Sequence, residues 1–186
     1  MIWIVIAIPL VILIWAISKY NGLIALRNQS TNGWKQIDVQ LKRRHDLIPN
    51  LVNTVKGVME FEQETLQKVI EARNSAISAK GVADSASKED MLSSALTKLF
   101  ALVENYPNLK SNENVRQLQE ELTSTENKIS FARQFYNDIA TKFNTEQQVF
   151  PANMIASLFR FSPVELFEIQ VATEREVPAI NLSLKK

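Results

Sequence analysis

The sequence predicts an all-α protein, a single N-terminal transmembrane helix followed by an antiparallel bundle of three to four long helices. Three observations predict it. Residues 1–17 form an apolar run without a charged side chain. Beyond residue 30 the apolar residues recur at spacings of three and four, the period of a helix with one buried face. Strand-like alternation is nearly absent until the last ten residues. The division that follows is a membrane anchor with its juxtamembrane helix over 1–27, a helical bundle over 28–160, and a tail over 161–186 that packs on the bundle or on a neighbour.

The anchor reads MIWIVIAIPLVILIWAI, and eleven of its 17 residues are Ile, Leu or Val. At roughly −0.3 to −0.6 kcal/mol each, these favour insertion by about −3 to −7 kcal/mol. Pro9 is tolerated in a membrane helix. Trp3 and Trp15 stand near the two ends and Tyr20 just beyond, the interfacial aromatic arrangement. Lys19 is placed to snorkel to the headgroups, and Arg27 follows it as a second headgroup contact. The competing reading is a cleaved signal peptide, for which Ala16-Ile17-Ser18 resembles a cleavage site. No Lys or Arg precedes the apolar run, so the basic leader of such a peptide is missing. The basic residues follow it instead. Residues 19–44 hold six basic side chains against Asp38 alone, whereas the rest of the chain holds 15 basic and 19 acidic residues. By the positive-inside rule this predicts an N-terminus outside and a cytoplasmic bundle. An acidic remainder also argues against nucleic acid as a partner.

The next segment predicts helix over about 32–80, with Trp34, Ile37, Leu41, Ile48, Leu51, Val55 and Val58 on one stripe and Arg44 in its gap. Pro49 removes a backbone donor and is expected to kink that helix near His45–Ile48. Gly57 weakens the same helix by about 1 kcal/mol relative to alanine. Residues 80–88 read as a small, polar break, with Ser87 and Asp90 at capping-box spacing before a helix over about 88–105. Tyr106-Pro107-Asn108 ends it. The cleanest stripe is Val115, Leu118, Leu122, Thr125, Ile129, Ala132, Tyr136, Ile139 and Phe143, four heptads of alternating spacing within a helix over about 113–149. It predicts a helix-packing seam, by default inside one bundle. A short apolar segment follows at 154–159, and the tail alternates weakly at 177–184.

Composition excludes most chemistry. There are no cysteines, which removes disulfides, thiolate metal sites and thiol nucleophiles. The single histidine, His45, cannot build a histidine metal site alone. The 4 glycines form no phosphate-binding loop. Glu60, Glu62 and Glu64 alternate, so on a helix Glu62 faces away from the other two. No Glu-x-x-His pair of the di-iron bundles is present. Lys42-Arg43-Arg44 reads as a solvated helix face in preference to a headgroup site, because Lys42 lies about 24 Å beyond Leu26 along a straight helix. His45 reads as an ordinary polar residue rather than a pH switch, Trp34 as a core or membrane-proximal anchor, and Glu71 or Arg73 as pairing with Arg133 or Glu126. The expectation is no enzymatic activity, no catalytic residue, no cofactor, no metal and no small-molecule substrate.

Long ordered strings then carry a resemblance. They are Gln36-Ile37-Asp38-Val39-Gln40-Leu41-Lys42-Arg43-Arg44, Asp46-Leu47-Ile48-Pro49-Asn50-Leu51-Val52, Tyr106-Pro107-Asn108-Leu109-Lys110, Leu118-Gln119-Glu120-Glu121-Leu122 and Ala132-Arg133-Gln134-Phe135-Tyr136-Asn137. In these the chain resembles the LemA family over about residues 20–177. The resemblance implies one N-terminal membrane helix and an antiparallel helical bundle, with no established enzymatic activity; the family includes a magnetosome-associated member linked to membrane remodelling. The functional expectation is a self-associating scaffold that organises or remodels membrane, with the lipid bilayer and further copies of itself as partners. The alternative is an adaptor that presents its bundle to a membrane-bound partner enzyme.

Overall fold

The computed structural model describes residues 2–59 and 62–168, and these are helical nearly throughout, with no strand among them. Six helices follow in order: α1 (Ile2–Lys56), α2 (Gln63–Ile77), α3 (Gly81–Val103), α4 (Pro107–Lys110), α5 (Glu113–Gln148) and α6 (Ala152–Leu158). The weak alternation at 177–184 lies outside the described residues.

α1 has 55 residues, about 80 Å at 1.5 Å per residue. It is the one described helix long and apolar enough to cross a membrane. Residues 6–14 are exposed, partial cover begins at Trp15 and Ala16, and Leu23 is the first buried side chain among those described. α5 runs antiparallel along α1: Lys19 meets Glu146, Trp34 meets Tyr136 and Arg43 meets Glu121 as the numbers rise on one helix and fall on the other. α2 and α3 form a helical hairpin beside the half of this pair farthest from the apolar run. The result is an up-down-up-down bundle, with α4 as a single turn between α3 and α5.

The core runs along α1 as three clusters. Ile48, Leu51, Val55 and Met59 pack with Leu66 and Val69 of α2, Leu92 and Leu99 of α3, and Val115 and Leu122 of α5. Nearer the apolar run, Ile37 and Leu41 pack with Ile129, Tyr136 and Ala140, and Leu23 packs with Phe143 and Ala156. Gly33 stands where α1 and α5 approach: a Cβ there would meet the Tyr136 Cα at 3.4 Å, an ordinary contact distance.

The predicted helix over 32–80 is two helices. α1 ends at Lys56, Gly57 follows it, and the chain reverses into α2. The apolar stripe reads through the turn because Val55 and Met59 on one side and Leu66 and Val69 on the other fill one core. The predicted break at 80–88 is also corrected. α3 starts at Gly81, seven residues before the expected Lys88. Gly81 takes φ +80°, a conformation open to glycine, at the point where the hairpin turns. Asp84 accepts a hydrogen bond from the Lys80 backbone N–H at 2.8 Å, so capping falls to Asp84 rather than to Ser87 and Asp90.

Pro49 sits inside α1 without ending it. Its ring leaves the carbonyl of His45, four residues back, without a helical donor. Arg73 of α2 supplies one, its Nε–H donating to the His45 carbonyl at 2.7 Å. Arg73 therefore pairs with backbone, while Glu71 takes a hydrogen bond from Gln67; neither reaches Arg133 or Glu126 as expected.

Candidate functional site

Two regions gather polar chemistry, one in the bundle interior and one where the bundle meets the apolar run. The interior group centres on Arg44, which occupies a core position of the α1 stripe. It is 3% exposed, and Glu89 of α3 is 4% exposed. Arg44 donates to Glu89 at 3.2 Å and to the Ser93 hydroxyl at 2.7 Å, and pairs with Glu126 of α5 at 3.1 Å. His45 Nε2–H donates to the other Glu89 oxygen at 2.6 Å. The cluster ties α1, α3 and α5 together and satisfies every charge it buries. The solvated face expected for Lys42–Arg44 is thus corrected at Arg44; Lys42 and Arg43 are exposed, and Arg43 lies 3.7 Å from Glu121. A guanidinium is large enough to fill an apolar gap and carries donors for two carboxylates, which is why a charged residue can hold a stripe position. No group of three or more His, Asp or Glu side chains suited to a metal occurs among the described residues. Glu62 accepts from the Tyr106 hydroxyl and Glu64 pairs with Lys68, while Glu60 lies outside the described residues. Burial pushes the Tyr106 hydroxyl above its usual range, and the Glu62 carboxylate adds to the rise.

The helix-packing seam of α5 faces inward. Val115, Leu122, Ile129, Tyr136 and Phe143 are buried, and Leu118, Ala132 and Ile139 are half-buried. Thr125, also on the seam, is buried with its hydroxyl donating to the Glu121 carbonyl at 2.8 Å. The seam is therefore filled within one chain. What α1 and α5 leave outside is a different patch: Val39, Phe131 and Phe135 are exposed, Phe131 at 73%, and they line a shallow depression with Lys35 and Lys128.

At the other region the five interface candidates are placed as follows. Trp3 is exposed at the outer end of the apolar run, and Trp15 is half-buried. Lys19 pairs with Glu146 at 3.3 Å. The Tyr20 ring meets Phe159 at 4.5 Å and Phe161 at 5.9 Å between centroids. Arg27 is exposed and lines a cavity of about 330 Å³ with Arg160. Trp34 belongs to the core side, 5.8 Å from Tyr136 and 5.9 Å from Phe167.

The tail expected to pack on the bundle or on a neighbour begins, among the described residues, as an extended strap on α5, and the residues that hold it were not singled out from the sequence. Asn144 exchanges two hydrogen bonds with the Val164 backbone, both 2.9 Å. Asn137 does the same with Phe167, at 2.8 and 3.1 Å. The Tyr136 hydroxyl donates to the Glu165 carbonyl at 2.6 Å, and the Arg133 guanidinium lies 4.5 Å over the Phe167 ring. Burial pushes the Arg133 guanidinium below the usual arginine range and the Tyr136 hydroxyl above its own. The signal for the strap was two asparagines one heptad apart, each one position past a seam residue, where a side-chain amide can stand in for a neighbouring strand.

Known proteins share much of this chain. It is similar to Protein LemA of Metamycoplasma hominis, 28% identical over 156 residues that cover 82% of this chain and 70% of that protein. It is also similar to Magnetosome protein MamQ 2 of Paramagnetospirillum magneticum, 22% identical over 185 residues, covering 86% of this chain and 68% of that protein. Magnetosome protein MamQ of Magnetospirillum gryphiswaldense is 20% identical over the same 86% and 68% shares. The family model described as "LemA family" matches residues 33–182, from the buried half of α1 onward, and the chain belongs to that family.

Proposed function

We propose that this chain is a non-enzymatic, single-pass membrane scaffold that self-associates and so organises the bilayer it spans. The observation that carries the reading is the patch of Val39, Phe131 and Phe135. It is apolar, lies on the longest wall of the bundle, and stays exposed after the seam has been filled within the chain. A second copy is the occupant that recurs wherever the chain is anchored, because a shared membrane concentrates copies and aligns their long axes. The basic excess of residues 19–44 supports a cytoplasmic bundle with the N-terminus outside.

The test is the mass and shape of the full-length protein in mild detergent, by light scattering and negative-stain imaging. Uniform particles of several 21.1 kDa protomers are expected. Val39→Glu with Phe131→Glu is expected to reduce them to monomers of unchanged helicity. A monomeric wild-type protein would refute self-association. Crosslinking in the native membrane would then decide for an adaptor, whose signature is one other membrane protein captured in fixed ratio through the same patch.

A further inference from the structure

The end of the bundle beside the apolar run carries a surface inverted relative to ordinary packing. α6 turns Ala152 and Ala156 inward and leaves Met154 and Leu158, four residues apart on the opposite side, 62% and 72% exposed. The residues flanking α6 extend this face: Phe150 is 79% exposed, and Val149 and Phe159 are also exposed. Over residues 147–164 the single charged side chain is Arg160. Large apolar side chains gathered in this way, without charge, mark a surface that something covers.

Position identifies the occupant. Lys19 pairs with Glu146, so α5 reaches the end of the apolar run two residues before it stops. Antiparallel continuation carries Val149 and Phe150 a further ~5 Å toward that run. Phe159 returns against Tyr20, the aromatic residue at the interface position of α1. The exposed face therefore begins beside the end of the apolar run, and the opposite side of α6 packs through Ala156 on Leu23. Above it Arg27 and Arg160 line one cavity with Tyr20, Ile24, Phe159 and Phe161, and neither arginine pairs with an acidic side chain among the described residues.

We propose that the α5–α6 turn and α6 form a second membrane contact. Phe150, Met154 and Leu158 enter the acyl region beside α1, and Arg27 and Arg160 hold the phosphate of a lipid headgroup in the cavity above them. The helix axis thereby receives a fixed tilt, because the chain touches the bilayer at two points rather than one. This rests on residues 1–17 spanning the membrane, and the test separates the two.

The chain has no cysteine, so single sites can be labelled in the full-length protein. Ile12→Cys, Gln134→Cys, Met154→Cys and Leu158→Cys would each carry an environment-sensitive fluorophore in lipid discs of phosphatidylcholine and phosphatidylglycerol. Quenchers are a nitroxide on the upper acyl chain and aqueous iodide. Labels at 154 and 158 are expected to be quenched by the lipid nitroxide and protected from iodide, and the label at 134 the reverse. Quenching at 12 with aqueous behaviour at 154 and 158 would overturn the second contact and leave the span standing. Loss of nitroxide quenching at 12 would overturn the span. Labels at 154 and 158 protected from both quenchers would show that protein covers the face and would refute lipid docking. Arg27→Gln and Arg160→Gln are each expected to lower the docked-to-undocked ratio at 154 about fivefold, the equivalent of about 1 kcal/mol; no change would refute the phosphate contact.

Discussion

Replacing Arg44 with methionine tests the interior most directly. The change preserves much of the stem that fills the α1 stripe and removes the guanidinium. Glu89, its side chain 5% exposed, then keeps His45 as its remaining partner from this cluster. Removing one member of a buried ion pair costs about 3–5 kcal/mol, because the other charge is left without compensation. The arm to Glu126 contributes much less, since that side chain is 45% exposed and water screens it; Glu126→Gln is expected to cost about 0–1 kcal/mol. The double variant Arg44→Met with Glu89→Gln removes both buried charges and keeps an oxygen for the His45 N–H. It is expected to be more stable than Arg44→Met alone by about 2 kcal/mol or more, since two matched charges cost less to remove than one. Urea unfolding of the full-length protein and these three variants in micelles, followed by helical circular dichroism, measures all four. If Arg44→Met costs under about 1 kcal/mol, or the double variant is the worse of the two, the cluster is not the dry charge-paired group described above.

Arg73→Leu is expected to cost about 1.5–3 kcal/mol, the range for a hydrogen bond from a charged donor. Most of that loss is expected to vanish in a Pro49→Ala background, where the backbone N–H restored at position 49 can bond the His45 carbonyl, and equal costs in both backgrounds would separate the two residues. Asn144→Asp and Asn137→Asp each keep the acceptor but lose the donor to the strap, so limited proteolysis within residues 160–168 is expected to accelerate several-fold while α1 and α5 stay resistant. The Lys80 N–H, then Lys88, hold the Asp84 carboxyl below its usual range. A depressed folded-state value means that the cap stabilises α3 above the unfolded-state value of ~3.9 and is lost as pH falls through the lower folded-state value. Nuclear magnetic resonance of the Lys80 amide is expected to titrate with that lower midpoint, and Asp84→Asn to abolish the titration.

The all-α class and the α5 seam were legible because a helix that buries one face must repeat its apolar residues at helical spacing. Val115 to Phe143 does so without a slip over the whole element. The same signal erred between Lys56 and Gln63, because the two helices on either side share one core. It erred again at 81–87, because Val82, Ala83, Ser85 and Ala86 are small and read as a linker, although Ala86 is buried against Ile37 and Leu41 in α1. Arg44 was visible in the stripe gap, but burial of a guanidinium depends on Glu89 and Glu126, 45 and 82 positions away, which periodicity cannot connect. The interface candidates Lys19 and Tyr20 stood out as flanks of an apolar run. Their partners Glu146, Phe159 and Phe161 belong to the far end of α5 and beyond, and become neighbours through the antiparallel return of the chain.

α1 is a single helix from the apolar run to the far end of the bundle. A flexible linker would let a bundle sample many orientations over a membrane. Here no residue between Ile2 and Lys56 leaves the helix, and Pro49, the one proline within the bundle part of α1, has its orphaned carbonyl capped from α2. The tilt of the apolar segment and the direction of the bundle are therefore mechanically the same variable. A patch such as Val39, Phe131 and Phe135, carried on that wall, then faces a fixed direction relative to the bilayer. In the self-association proposed above, copies meeting through it would share one relative angle between their membrane helices, and that repeated angle would impose a shape on the membrane. Under the scaffold function proposed above, the unbroken course of α1 is what would carry the geometry of that contact to the bilayer.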